Sequence, residues 1–256
     1  MTGALLIATL VLGHAVAAGQ YPLLHSHNDY NRDRPLLDAL AHRFDSVEAD
    51  VFLVQGRLLV AHTKKKLDPS RTLESMYLAP LAELHRLGFL QAGRRTLTLV
   101  VQIHQPALDT YRALEAELRR HPQLLSVFKD DSTSIPGAVR VLLTGEFPRK
   151  EVLAPRLRFV QVEGSLRDLD SDASPEVMPI INVEWKDVVE PEARWLFQKN
   201  ETGRLTKVVQ RVAARGRLVR VWGHPDNEHA WRALLDAGVK VLGTDHLTRV
   251  NRFLHR

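Results

Sequence analysis

The hexapeptide HSHNDY, residues 25–30, places two imidazoles, an amide and a carboxylate close together near the start of the chain. Histidine is the side chain whose ordinary pKa lies nearest to neutral pH, so it is the commonest group for moving protons in catalysis. Two explanations of the hexapeptide are open. It is either a catalytic loop that carries His25, His27, Asn28 and Asp29, or a polar loop that caps a strand.

A second group of polar residues follows in SVEADV, where Glu48 and Asp50 are two positions apart. Side chains two apart on a strand leave the same face, so both carboxylates can converge on a hard cation such as Mg²⁺ or Ca²⁺. The alternative is a pair of acids at a strand end that are bridged to arginines.

His62 ends another apolar run twelve residues after Asp50. A cation and two histidines would together catalyse hydrolysis of a phosphodiester. One histidine would remove the proton of the attacking hydroxyl, and the other would supply a proton to the leaving group.

The elements that must position these residues alternate along the chain. Eight apolar or β-branched runs are separated by segments whose apolar residues recur at three- and four-residue spacing, which predicts a parallel (β/α)₈ barrel. Gln55 and Gly56 separate two apolar runs and predict a hairpin that extends the second strand. The predicted strands are 21–24, 46–51, 96–103, 139–144, 158–162, 180–184, 217–222 and 239–243, and the clearest helices are 73–90, 107–120, 205–215 and 228–237.

Active sites of such barrels lie at the carboxyl ends of the strands, so the polar residues at these ends are the candidates for chemistry. The candidates are His25, His27, Glu48, Asp50, His62, Gln102, His104, Glu163, Glu184, Trp222 and Asp245.

Length and composition agree with one exported domain. A chain of 256 residues with 45% hydrophobic and 25% charged residues suits a single globular barrel. The first residues are small and apolar and end in Ala15-Val16-Ala17-Ala18, which predicts a signal peptide over 1–18, a barrel domain over 19–256 and a secreted or periplasmic location. The absence of cysteine excludes disulfides and thiol catalysis. A net charge of +5 favours anionic partners.

Several segments together resemble a known family. They are HSHNDYNRDRPLLDAL, SVEADVFLVQGRLLVAH, TLESMYLAPL, VEGSLRDL and RLVRVWGHPDNEHAWRALLDAGVKVLGTDHL, and they span residues 25–249. In combination they resemble the phosphatidylinositol phospholipase C-like and glycerophosphodiester phosphodiesterase superfamily. The nearest branch is the HSHNDY branch, which includes proteins of the altered-inheritance-of-mitochondria 6 type. The resemblance implies a (β/α)₈ barrel with phosphoric diester hydrolase activity in lipid metabolism.

The resemblance also implies roles for individual residues. Glu48 and Asp50 become ligands of Mg²⁺ or Ca²⁺, and His62 becomes one catalytic histidine. The other is His25 or His27, of which His25 is favoured because it stands directly at the end of the strand, with His27 orienting the phosphate. Further implied site residues are Gln102 at the third ligand position, Asn28 and Asp29 near the substrate, and Trp222 as an apolar wall.

The chain departs from the family pattern at the third barrel strand. The segment VVQIHQP carries Gln102 and His104 where the family usually has an acid and a lysine, and a neutral amide is a weaker metal ligand than a carboxylate. Glu163 or Glu184 would be the substitutes for the lost charge. Two further departures are Thr63 in place of aspartate and Arg43 in place of glycine.

Two other functions are compatible with the sequence. A catalytically silent barrel that binds a phosphorylated ligand is suggested by Gln102 and Thr63. A zinc hydrolase of the amidohydrolase or PHP type is suggested by the His-x-His spacing of His25 and His27, with His104 and His246 as further ligands. The expected partner is a small-molecule or lipid phosphodiester, with a possible anionic membrane surface, and neither nucleic acid nor a protein partner is implied.

Overall fold

Eight parallel strands close into a barrel, as the alternating pattern predicts. The structure is a computed structural model, and it describes residues 22–92, 96–129, 133–189 and 202–255. The barrel closes where the first strand pairs with both the second and the last, so that His25 lies opposite Ser46 on one side and Gly243 on the other. The strands are, in order around the barrel, β1 (Leu23–Ser26), β2 (Ser46–Val54), β4 (Leu97–Ile103), β7 (Val139–Gly145), β9 (Val160–Gly164), β10 (Ile180–Glu184), β11 (Leu218–Trp222) and β12 (Val241–Thr244).

Helices separate the barrel strands. They are α1 (Leu37–Ala41), α2 (Ala79–Arg86), α3 (Ala107–Leu118), α4 (Arg149–Leu153), α5 (Trp185–Val188), α6 (Gly203–Ala213), α7 (Glu228–Asp236) and α8 (Leu247–Phe253). The predicted helix over 73–90 is divided: a π-helical turn, Glu74–Leu78, runs directly into α2, whose second residue, Pro80, has no N–H to donate. Within the described residues, no helix combines the length and apolar character that a membrane crossing needs.

The predicted hairpin is present and extends β2 beyond the barrel. The strand β3 (Arg57–Val60) runs back along β2, with Val51 opposite Val60 and Val54 opposite Arg57. Gln55 and Gly56 form the turn with φ of 48° and 76°, the left-handed values that two-residue hairpin turns require. Because β3 returns to the barrel mouth, His62 lies beside Asp50 of β2.

A small antiparallel sheet that the sequence did not predict lies outside the barrel. It consists of β6 (Thr133–Ile135), β5 (Val127–Lys129) and β8 (Leu157–Arg158), with β5 in the centre. Strands of two or three residues are too short to show an alternating pattern, so they leave no periodic signal.

The faces of β2 separate the core from the site. Val47, Ala49 and Val51 are fully buried in the hydrophobic core, which lies between the strands and the surrounding helices. The alternate residues, Glu48 and Asp50, point into the barrel because successive side chains on a strand leave opposite faces.

Candidate active site

The hexapeptide HSHNDY begins with the last two residues of β1 and continues into a loop that is fixed by the buried Asp29. Its carboxylate accepts hydrogen bonds from Ser26 Oγ at 2.7 Å, from the Leu36 amide at 2.6 Å and from Tyr77 Oη at 3.0 Å. Asn28 has a φ of 48°, a left-handed conformation that asparagine tolerates better than most residues. Asp29, which the resemblance places near the substrate, is instead enclosed by protein donors and shapes the loop.

His25 lies beneath the site with both ring nitrogens engaged. Its side chain is 1% exposed, Nδ1 is 2.9 Å from Ser46 Oγ, and Nε2 is 2.8 Å from both Glu48 Oε2 and Arg220 Nη1. Burial and the positive charge of Arg220 lower the pKa of His25, which favours the neutral ring. In either tautomer both nitrogens face protein groups. This position favours a positioning role for His25 over the proton transfer that the sequence assigns to it.

His27 reaches the open part of the site. Its side chain is 41% exposed, and Nδ1 is 3.0 Å from Asp245 Oδ1. Although burial alone would lower the pKa of His27, the hydrogen bond to Asp245 and the negative charge of Glu48 raise it overall. Asp245 is held at the end of β12 by Asp226, which accepts a hydrogen bond from the Asp245 amide at 2.7 Å. A histidine held by a carboxylate through Nδ1 leaves Nε2 for a substrate.

The hexapeptide connects His27 to His62 through two of its own side chains. Asn28 Nδ2 is 2.9 Å from His27 Nδ1, and Tyr30 Oη donates to Asn28 Oδ1 at 2.6 Å. Tyr30 Oη is also 3.3 Å from His62 Nδ1, and the His62 side chain is 54% exposed. Both histidines therefore stand at the mouth of the barrel, with Asn28 and Tyr30 between them.

Asp50 faces a different set of partners from Glu48. Gln102 Nε2 donates to Asp50 Oδ2 at 3.2 Å, and His104 Nε2 and His62 Nδ1 lie 3.6 and 3.8 Å from the same oxygen. The other oxygen, Oδ1, is buried and has no hydrogen-bond partner among the described residues. Burial raises the pKa of Asp50, and the charge of Glu48 adds to the effect.

Arg220 occupies the centre of the barrel, and the sequence did not identify it as a site residue. Its Nε and Nη2 donate to the two carboxylate oxygens of Glu163 at 2.9 and 2.8 Å, and its Nη1 is 3.2 Å from Glu48 Oε2. The side chains of Arg220, Glu163 and Glu48 are all at most 5% exposed. The available signal was an arginine inside the apolar strand LVRVW, two positions before Trp222 and therefore on the same face.

The side chains predicted to hold a divalent cation are engaged with protein partners. Glu48 is turned toward His25 and Arg220, so a cation bound to its Oε2 would lie close to the guanidinium charge. The third position holds Gln102, whose amide donates to Asp50. Among the residues that the structure describes, no three His, Asp or Glu side chains are grouped to hold a metal. Glu48 instead matches the alternative of an acid bridged to an arginine.

The zinc-hydrolase alternative also lacks its ligand set. His25 and His27 point to different partners, Glu48 and Arg220 for the first and Asp245 for the second. His104 stacks on Phe52 with ring centroids 4.2 Å apart. The structure therefore does not bring the histidines of the His-x-His motif to one point.

A cavity of about 640 Å³ opens over the carboxyl ends of the strands. Trp222, 44% exposed, forms an apolar part of its wall, as the resemblance implies. A smaller cavity of about 110 Å³ shares His27, Arg220 and Trp222 with it. Further lining residues of the larger cavity are Glu48, Gln102, Thr144, Phe147, Arg149, Glu163, Ser165 and Asn182. The cavity therefore combines the imidazole of His27, charged side chains of both signs and an aromatic wall.

Residues 19–87 match the family model described as the AIM6-like phosphodiesterase domain. The resemblance indicated by the sequence is confirmed. The chain is 30% identical to altered inheritance of mitochondria protein 6 of Lachancea thermotolerans, over 90% of this chain and 65% of that protein. It is 27% identical to the homolog from Arthroderma benhamiae, over 90% of this chain and 83% of that protein. The chain thus spans a little less than two thirds of the Lachancea relative.

Solved structures support the barrel fold. A calcium-dependent phosphoinositol-specific phospholipase C from a Pseudomonas species superposes with a TM-score of 0.57 at 12% identity, covering 89% of this chain and 91% of that one. A phosphodiesterase from Oleispira antarctica, solved in complex with the product sn-glycerol-3-phosphate, gives a TM-score of 0.55 at 12% identity, covering 92% and 98%. At these identities the likeness concerns the fold.

The predicted secreted or periplasmic location is wrong. The curated relatives are named for the inheritance of mitochondria, and those names give no support to export. The segment 1–18, on which the prediction rested, lies outside the described residues, and the division into residues 1–18 and 19–256 stays a prediction.

Proposed function

We propose that this chain is a phosphoric diester hydrolase that acts on a glycerophosphodiester or phospholipid-type substrate by acid–base catalysis. The observation that carries the proposal is the placement of His27 and His62 at one barrel mouth, with Asn28 and Tyr30 between them. The family match and the fold of the phosphodiesterase neighbours support the same reaction class.

His27 is the proposed general acid and His62 the proposed general base. Asp245 favours the protonated form of His27, so this ring can give a proton to the departing alkoxide. His62 Nδ1 faces Tyr30, which leaves Nε2 to take a proton from the attacking hydroxyl. That hydroxyl belongs either to water or to the substrate itself. One P–O bond forms, one breaks, and the proton taken by His62 balances the one given by His27.

Asn28 and the cavity residue Trp222 are proposed to bind the substrate. Asn28 lies beside His27, and Trp222 offers an apolar surface to the alcohol part of the diester. An anionic membrane surface is compatible with the net charge of +5 as the place where a lipid substrate would be met.

The proposal is tested by turnover of defined diesters. Purified protein is assayed with bis-p-nitrophenyl phosphate, glycerophosphocholine, a lysophospholipid and phosphatidylinositol, without added metal and with Mg²⁺ or Ca²⁺. His27→Ala and His62→Ala should each lower kcat by roughly 10² to 10⁴, and the double variant should be little worse than the slower single one. His255→Ala, at an exposed histidine, is the control.

The silent-barrel alternative predicts a different result. Wild-type protein would bind inorganic phosphate in a calorimetric titration but would turn over none of the four substrates under any condition. That outcome would replace the enzyme proposal with a binding function.

A further inference from the structure

The Tyr30 hydroxyl stands between Asn28 and His62 and has a single proton to donate. Tyr30 Oη is 2.6 Å from Asn28 Oδ1 and 3.3 Å from His62 Nδ1. A separation of 2.6 Å is ordinary for an O–H···O hydrogen bond and short for an N–H···O bond, so Tyr30 donates its proton to the amide oxygen of Asn28. The phenol keeps this proton, because burial and the negative charge of Asp50 raise the pKa of Tyr30. The hydroxyl oxygen therefore offers a lone pair to His62.

A second oxygen on the same side of the His62 ring is also an acceptor. Asp50 Oδ2 lies 3.8 Å from His62 Nδ1 and accepts a hydrogen bond from Gln102 Nε2 at 3.2 Å. A ring nitrogen that faces two acceptors is stabilised when it carries the proton, because its own lone pair would repel theirs. In the neutral ring, a proton on Nδ1 leaves Nε2 as the acceptor. Tyr30 and Asp50 thus favour the tautomer whose Nε2 can remove a proton.

The Tyr30 side chain is held in place by its surroundings, whereas the His62 ring is not. Tyr30 is 1% exposed, and its backbone carbonyl accepts a hydrogen bond from Arg71 Nη2. The preceding residue, Asp29, is buried and accepts hydrogen bonds from three protein donors. The His62 side chain is 54% exposed, so it depends on a fixed partner for its orientation. The Tyr30 hydroxyl is such a partner, because packing holds it before any ligand enters.

We propose that Tyr30 is a positioning residue that holds the neutral His62 ring with its proton on Nδ1 and its lone pair on Nε2. The inference rests on the proposed function, in which His62 is the general base. When Nε2 takes the proton of the attacking hydroxyl, the ring gains one positive charge while its Nδ1–H stays directed to the Tyr30 oxygen. Without that oxygen, part of the His62 population would carry its proton on Nε2 and could not act as the base. A catalytic histidine in the wrong tautomer loses activity even where the geometry of the site is intact.

The first experiment measures the tautomer by NMR of protein labelled with ¹⁵N at histidine, with His62→Ala used to assign the His62 signals. In the wild-type protein, the neutral ring should show a protonated Nδ1 and an unprotonated Nε2. In Tyr30→Phe, the signals should move toward the tautomer protonated at Nε2. Tyr111→Phe, at another buried tyrosine, on α3, is the matched control and should leave the His62 signals unchanged. A wild-type ring protonated at Nε2 would overturn the proposal.

The second experiment compares the kinetics of the same variants with bis-p-nitrophenyl phosphate. Tyr30→Phe should lower kcat by about 10 to 10², because only part of the His62 population keeps the productive tautomer. KM should stay within about twofold, since the Tyr30 hydroxyl contacts His62 and is not proposed to contact the substrate. Tyr111→Phe should leave kcat and KM unchanged, and circular dichroism checks the folding of each variant. A folded Tyr30→Phe that keeps the wild-type kcat, or loses kcat with the His62 tautomer unchanged, contradicts the proposal.

The outcomes separate this inference from the proposed function. If the wild-type protein turns over no diester, the enzyme proposal fails, and the NMR comparison still decides whether Tyr30 sets the tautomer of His62. If turnover occurs while the His62 tautomer is the same in wild type and Tyr30→Phe, the positioning role fails and the enzyme proposal stands. Should Tyr30→Phe not fold, the wild-type spectrum decides: a proton on Nδ1 supports the proposal, and a proton on Nε2 overturns it.

Discussion

His25 and His27 are two residues apart and have opposite environments. His25 holds Arg220 and Glu48 in the buried floor, whereas His27 faces the cavity beside Asp245. We expect His25→Ala to lower the free energy of unfolding by roughly 2 to 4 kcal/mol, because buried charged groups lose a partner. His27→Ala should leave stability within about 1 kcal/mol and lower kcat. Urea unfolding and steady-state kinetics on both variants check this contrast. A stable, inactive His25→Ala would return the proton transfer to His25.

The ion pair of His27 and Asp245 gives a pH dependence with a defined sign. Since the pKa of His27 is raised, its stabilising contribution is present below the ordinary value of about 6.5 and is lost as the pH rises through the raised value. The pKa of Asp245 is lowered, although burial opposes this, by its hydrogen bond to His27. The contribution of Asp245 is therefore lost as the pH falls below about 4.

Asp245→Asn should consequently lower the pKa of His27. NMR titration of the imidazole measures it directly, and the alkaline limb of kcat/KM should move to lower pH if His27 is the acid. Asp109→Asn, at an exposed acid on α3, is the control. An unchanged His27 titration in Asp245→Asn would remove Asp245 as the orienting group.

At the same residue scale, the sequence indicates which polar residues stand at the strand ends, but it does not indicate which of them contact one another. The residues that lie around one barrel mouth are His27, Asn28, Glu48, Asp50, His62, Gln102 and Trp222, whereas His25 and Asp29 are buried beneath it. The position of Arg220 could not be inferred, because its meaning depends on Glu48 and Glu163, which lie on other strands. Contacts between distant strands depend on barrel closure, which spacing along one strand does not reveal.

At the scale of elements, two glycines with left-handed backbone differ in what surrounds them. Gly56, at the hairpin turn, has no atom within 4 Å of the position that an added methyl group would occupy, whereas at Gly145 the Ile103 carbonyl oxygen and Gln102 Cγ would be 2.8 and 2.9 Å away. Gly56→Ala should cost about 1 kcal/mol of stability from the backbone alone. Gly145→Ala should cost roughly 2 to 4 kcal/mol, because a steric clash adds to it.

Chemical denaturation of the two glycine variants measures this difference. Since Gln102 lines the cavity, Gly145→Ala should also raise KM, and Gly56→Ala should leave KM unchanged. Equal losses of stability in the two variants would contradict the close packing of β4 against β7.

Strands and helices were predictable where the pattern was long. The strand over 180–184 agrees in both bounds, and the first and last strands are displaced by one or two residues. The π-helical turn at Glu74–Leu78 was not foreseen, since its apolar spacing reads as ordinary helix. Residue 21, in the predicted first strand, lies outside the described residues.

At the scale of the whole molecule, charge is distributed so that an anion can be attracted to the barrel mouth. The chain carries a net charge of +5, and Lys64–Lys66 form an exposed turn directly after His62. Charges near a binding cavity raise the rate of encounter with an oppositely charged ligand, and salt screens the effect within about 10 Å at 0.1 M. The hairpin places this lysine turn beside the site.

Replacing Lys64, Lys65 and Lys66 together by glutamine should therefore lower kcat/KM for an anionic diester severalfold at low ionic strength. The difference should shrink in 0.5 M salt, because the Debye length is then only a few ångströms. kcat should not change, since these side chains are proposed to act on encounter and not on the chemical step. A control with the same change in net charge replaces Arg86, Arg112 and Lys207, which are exposed on α2, α3 and α6. If both triple variants lose kcat/KM equally, the effect belongs to the net charge of the molecule, and the local role of the lysine turn is wrong.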